Sequence, residues 1–145
     1  MKAFIDDLNL IRIESDTYIY DIHIDGYHIS WYKNENGNQY FKSNIDLRLN
    51  EVDHIYINHE RILLEIGLVT LHKSFDKKYR YDGPLGSIYH LEHSDFYVWS
   101  PVAKEMKLVL DDTKYQMNNL GEVWHVRVDG NYHLTMAFCF FISSA

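Results

Sequence analysis

The chain has 145 residues, room for one ordinary domain or two small ones, and its 46% hydrophobic and 15% aromatic content excludes a disordered chain. A net charge of -7 excludes the basic footprint that nucleic acids and anionic membrane surfaces require. The single cysteine, Cys139, excludes an internal disulfide and, lying in an apolar run, reads as a small buried hydrophobe.

The opening MKAFIDDLNL is no signal peptide, because Asp6 and Asp7 interrupt its apolar core. No apolar run approaches the roughly 18 residues of a membrane helix, so a cytoplasmic protein is expected. Tyrosine leads the aromatics, 12 against 7 Phe and 3 Trp, and Tyr-rich alternation favours strands. Tyr18, Tyr20, Ile22 and Ile24 alternate into Asp25-Gly26, and Tyr27, Ile29 and Trp31 alternate out of it. The two-residue Asp-Gly loop predicts a type I′ hairpin pairing Ile24 with Tyr27, Ile22 with Ile29 and Tyr20 with Trp31, all on one buried face. Residues 34–38 read as a loop. Ile45, Leu47 and Leu49 alternate as a strand, residues 54–58 form another, and 58–61 a turn. Residues 62–72 are long enough for a helix, but Gly67 and the β-branched Ile66, Val69 and Thr70 favour a strand with a bend. The polar, basic run 73–80 and then Asp82-Gly83-Pro84 mark a boundary, dividing the chain into 1–78 and 79–145. Beyond it, 87–90, 96–99, 106–110, 123–128 and 136–142 are short strands separated by turns, the spacing of a β-sandwich. The fold class is therefore all-β, two small β-sandwich modules.

The residues alone supply no reaction. The nine histidines are dispersed. His90-Leu91-Glu92-His93 and His54 with His59 are the closest groupings, neither has the spacing of a zinc protease helix, and no second cysteine joins them, so no metal or other cofactor is expected. Asp6-Asp7 and Asp111-Asp112 are adjacent pairs, and neighbours on a strand face opposite ways, so neither pair straddles a sugar. They read as solvated loop acids, and no catalytic residue is assigned. Sugar binding remains, through rings that stack on a pyranose. Tyr97 and Trp99 share the strand face opposite Phe96 and Val98. Trp124 lies with Val126 and Val128, where a core position is the alternative. An exposed aromatic face also suits a protein partner.

The stretch YDGPLGSIYHLEHSDFYVWSP, followed by KLVL at 107–110, Met117, GEVWHVRV at 121–128 and Gly130-Asn131-Tyr132-His133, is similar to the segment that opens the second module of type I pullulanases. KAFIDDLNLIRIE resembles the start of the intracellular members. The resemblance implies an N-terminal β domain over 1–78 and, over 79–145, an immunoglobulin-like carbohydrate-binding module of family 48. The parent enzymes cleave α-1,6 linkages in pullulan, starch or glycogen on a (β/α)₈ barrel, which needs about 250 residues. None remain here, so the resemblance implies a truncated or frameshifted product, inactive alone, that binds α-glucan weakly or scaffolds the barrel. The alternative is a free-standing β-sandwich interaction module without glycan binding. Trp99, Tyr97, Tyr115 and Trp124 are the candidate carbohydrate-binding residues. Glycogen-binding members carry a Trp in the loop where this chain has Asp111-Asp112-Thr113-Lys114-Tyr115, and a Lys near the position of Cys139, so weak binding is expected. Apolar surface left by the missing barrel is expected to drive self-association.

Overall fold

The computed structural model describes residues 1–130 and the backbone of residues 137–142. The chain is all-β and divides into two compact units, Met1–Lys78 and Tyr79–Ala145.

The first unit grows from the most apolar alternation in the chain. Strands β1 (Lys2–Asp7) and β2 (Leu10–Glu14) pair antiparallel, setting Ala3 opposite Ile13 and Ile5 opposite Ile11, all four fully buried. Strand β7 (Glu60–Ile66) runs parallel to β1 on its other side and sets Leu64 beside Ala3. With β3 (Ile22–His23), β4 (Ile29–Glu35), β5 (Asn38–Ser43) and β6 (His54–Ile57) they make one seven-stranded sheet in the order β3-β6-β7-β1-β2-β5-β4. The two edge strands, β3 and β4, are neighbours in sequence, and Ile24 still bridges Tyr27 between them. The sheet therefore curls until its edges meet at the Asp25-Gly26 turn. Phe41, Ile55 and Ile57 join the inner face, and Leu47, Leu49, Val69 and Phe75 close it.

This geometry corrects the predicted hairpin, which stops after its one bridge. Only Gly26 takes a positive φ, 85°, whereas a type I′ turn needs both central residues there. A turn with positive φ at the second position alone splays its strands. Asn58 holds the incoming arm elsewhere: its Oδ1 accepts from Tyr20 N at 2.9 Å and Asp21 N at 3.2 Å, and its Nδ2 donates to Tyr18 O at 2.8 Å. Ile22 then pairs with Ile57 rather than Ile29. Tyr18, Tyr20 and Trp31 are consequently exposed, at 80%, 66% and 61%, instead of sharing a buried face.

Two further expectations change. Residues 44–53 form no strand. Leu47 donates its N–H to Leu8 O at 2.7 Å, and Leu47 and Leu49 plug the core while Ile45 faces solvent. Their alternation records burial, not pairing. The strand expected over 62–72 ends at Ile66. Gly67 donates to Ile5 O at 2.9 Å, Leu68 N–H donates to the Asp6 carboxylate, and a 3-10 turn (Leu68–Leu71) buries Val69. A one-and-a-half-turn helix, α1 (Lys73–Lys78), follows where a linker was expected and buries Phe75.

The second unit is a sandwich. Strands β8 (Gly86–Tyr89), β9 (His93–Trp99), β12 (Asn118–Asn119) and β13 (Val123–Asp129) form a sheet in the order β12-β13-β9-β8. Strands β10 (Glu105–Leu110), β11 (Thr113–Gln116) and β14 (Ala137–Ile142) form the other, in the order β11-β10-β14. The core joins Phe96, Trp124, Val126 and Val128 from the first sheet to Met106, Leu108 and Leu110 from the second. Strand β9 starts three residues before the expected 96–99, because its first half, His93-Ser94-Asp95, is polar but buried or half-buried. The turns of the chain follow their chemistry: Asn36-Gly37, Asn58-His59 and Asp111-Asp112 each put both residues at positive φ, the type I′ pattern. Residues 131–133 of the family-like turn, and the Cys139 side chain, lie outside the described residues.

Candidate functional site

The outer face of the β13-β9 pair gathers the polar and aromatic groups of the second unit. In a strand alternate residues share a face. The register sets Trp99 opposite Val123, Tyr97 opposite His125, Asp95 opposite Arg127 and His93 opposite Asp129. The intervening Phe96, Trp124, Val126 and Val128 turn into the core.

Asp95 is the hub of this face. It is only 4% exposed. Its Oδ1 accepts from Arg127 Nε at 3.0 Å and lies 2.8 Å from His125 Nε2, and its Oδ2 accepts from Arg127 Nη2 at 3.1 Å. The forked guanidinium bond, strengthened by His125 and by both groups' charge, outweighs burial and holds the carboxyl well below its usual range, at about 2. The same bond raises the Arg127 guanidinium above its ordinary value. A carboxylate held this firmly as an anion is no general acid at neutral pH. It is an anchor for the groups around it.

Tyr97 lies against His125, ring centroids 4.6 Å apart at 35°. Trp99 is 38% exposed and donates its indole N–H to Tyr79 O at 2.8 Å, which fixes the ring at the end of the strand. These two predicted residues share one face. The other two do not join them. Trp124 is 4% exposed, lies in the core and donates its indole N–H to Ser100 O at 3.0 Å. Tyr115, on β11 of the other sheet, is half-buried against the same core.

Sequence reasoning missed Asp95, His125 and Arg127. Asp95 lies before the expected start of the 96–99 strand, whereas His125 and Arg127 alternate on one face within the expected 123–128 strand. Sequence reasoning named His90 and His93 as a grouping but not their approach to Asp95. Between β8 and β9 the two residues Leu91-Glu92 separate His90 from His93, His90 N–H donates to His93 O at 2.9 Å, and the two imidazoles lie 4.5 Å apart at 33°. His90 Nε2 and His93 Nε2 stand 3.9 and 3.8 Å from Asp95 Oδ2.

The paired acids have structural roles. Asp6 is buried and, through Oδ2, accepts from Arg12 Nε at 2.8 Å, which differs from the solvated-loop expectation. The slip in register between Ile5 and Asp7 leaves it out of the β1-β2 pairing, on the side of Arg12 and Leu68. Asp7 accepts from Leu8 N at 2.7 Å and Ser74 Oγ at 2.8 Å. Asp111 and Asp112 form an exposed turn. In the first unit a cleft of about 410 Å³ is lined by Tyr27, Arg48, Glu51, Asp53 and His54. Arg48 pairs with Glu51 and His54 meets Asp53 within it, while Asp25 on its rim meets His23. Among the described residues no helix is long and apolar enough to cross a membrane.

No protein-family model matches the chain. A pullulanase of Bacillus subtilis (strain 168) is 36% identical over 76 residues, 48% of this chain and 11% of that protein. A pullulanase from Anoxybacillus sp. LM18-11, solved in complex with maltotetraose, matches 96% of this chain and 22% of its own at a TM-score of 0.83 and 24% identity. The type I pullulanase of Bacillus subtilis str. 168, solved in complex with maltose, matches 95% of this chain and 22% of its own at a TM-score of 0.72 and 24% identity. The chain thus spans about a fifth of the length of these solved relatives.

Proposed function

Because the chain is a pullulanase homologue, we propose that it is the non-catalytic, N-terminal part of a pullulanase-type debranching glycoside hydrolase, and that it makes weak contacts with α-glucan. In this reading 1–78 is the N-terminal β domain and 79–145 the immunoglobulin-like module of family 48, both cytoplasmic. The observation that carries it is the 36% identity to a pullulanase over 48% of the chain. The likeness in fold over 96% of the chain supports it.

Glucan contact belongs on the outer face of β9 and β13. A pyranose offers an apolar face to a ring and hydroxyls to polar neighbours. Trp99 and Tyr97 supply the rings, and Arg127 and His125 supply polar groups beside them. Trp124 and Tyr115 act from beneath, as core residues that fix the two sheets. Weakness follows from how little aromatic surface is open, since Trp99 is only 38% exposed.

Affinity electrophoresis in gels containing pullulan or glycogen tests the proposal. Migration slowed in proportion to polysaccharide concentration, and restored by Trp99→Ala, is expected. Unretarded migration at every concentration refutes glucan contact. A reducing-sugar assay on pullulan is expected to give no turnover, and genuine turnover would overturn the non-catalytic reading.

A further inference from the structure

We propose that His90, His93 and Asp95 form a binding site for one divalent ion of the zinc type at the β8-β9 hairpin. The proposal concerns the metal ion alone and does not depend on glucan binding.

The hairpin assembles the donors. Two intervening residues, Leu91-Glu92, set His90 across from His93, and alternation places Asp95 on the same face two residues further on. One donor atom from each of the three residues lies within 4.8 Å of the others. The separations of 3.9 and 3.8 Å from each imidazole Nε2 to Asp95 Oδ2 are too long for hydrogen bonds. They suit a shared ion instead. Zinc bonds of about 2.0–2.2 Å in a tetrahedron put neighbouring donors roughly 3.4 Å apart. Closing the two gaps to Asp95 takes about half an ångström, and His90, half-exposed on its loop, is the donor placed to move.

The surroundings support each donor. Asp95 Oδ1 is engaged by Arg127 and His125, while among the described residues Oδ2 accepts one hydrogen bond, from Arg127 Nη2, and stands nearest the two imidazoles. Arg127 and His125 thereby orient the carboxylate as outer partners orient a metal ligand. Arg127 repels a cation, which sets the affinity low, and Asp129, opposite His93, offsets part of that charge. Two imidazoles and one carboxylate favour zinc, copper or nickel over calcium and magnesium, which take oxygen donors.

Titration calorimetry of the full chain, stripped by a chelator and then dialysed free of it, tests the site with Zn²⁺ alone. One Zn²⁺ per chain at micromolar affinity is expected. His90→Ala and the double variant His90→Ala/His93→Ala should weaken it at least tenfold, and His59→Ala, in the first unit, should leave it unchanged. Melting in chelator verifies that each variant folds, and His90→Ala, a change on an exposed loop, serves if the double variant does not. No uptake up to millimolar Zn²⁺, equal affinity in His90→Ala, or equal affinity for Mg²⁺ would each overturn the site.

Discussion

Asp95 is nearly closed to solvent and yet stays an anion, because three polar hydrogens meet its two oxygens. Its folded value of about 2 lies below the ordinary 3.8, so the folded chain binds this proton less readily than the unfolded chain does. The stability it contributes is complete above pH 3.8 and is lost as the pH falls toward 2. Its size is on the order of 1 kcal/mol, discounted because Arg127 reaches into solvent and is screened there. Melting curves from pH 6 to 2 should converge for the wild type and Asp95→Asn at the acid end, and a constant gap would contradict the assignment. Gly67 is required for space rather than for its φ. An added Cβ would overlap Asp6 Oδ1 and come within 2.9 Å of Ile5 O and Phe4 Cβ. Gly67→Ala should therefore cost about 1–3 kcal/mol, read as a lower denaturant midpoint at unchanged slope. Ser94 Oγ is buried without a hydrogen-bond partner among the described residues, so Ser94→Ala should be neutral or slightly stabilising.

At the scale of elements, the side chain of Asn58 sets the path of residues 18–21. Three hydrogen bonds depend on it, and Asn58→Ala should cost about 1–2 kcal/mol and speed amide exchange at Tyr20 and Asp21 specifically. Unchanged exchange there would mean that strand pairing alone holds the arm. The same residue shows why this arm was illegible in sequence. The alternation around Asp25-Gly26 matched a hairpin in every apolar position, but the competing bonds come from a turn 37 to 40 residues away. Ile45, Leu47 and Leu49 misled for a related reason: apolar alternation reports which side chains are buried, not where the backbone hydrogen bonds go. Legibility was best where apolar alternation coincided with local pairing, as in β10 with its fully buried Leu108. In the site, Tyr97 and Trp99 could be placed on one face by counting alone. Asp95, His125 and Arg127 could not, because their meeting depends on the register between two strands separated by 23 residues or more.

At the scale of the whole molecule, each unit has a core of its own, closed by Leu47, Leu49 and Val69 in the first and shared between two sheets in the second. Trp124→Ala should cost about 3–5 kcal/mol and unfold the second unit while the first keeps its own transition, a pattern that calorimetry resolves. The exposed apolar residues Leu85, Leu91 and Leu120 of the second unit are the first candidates for self-association, and sedimentation at rising concentration is expected to show dimers. The claim that the second unit meets α-glucan through the β9-β13 face is tested most directly by recording backbone amide shifts of the labelled full chain during titration with maltotetraose. The shifts should saturate at millimolar sugar, cluster at residues 95–99 and 123–127, and vanish in Trp99→Ala. No shifts at millimolar sugar, or shifts centred on the exposed Trp31 of the first unit instead, would contradict it.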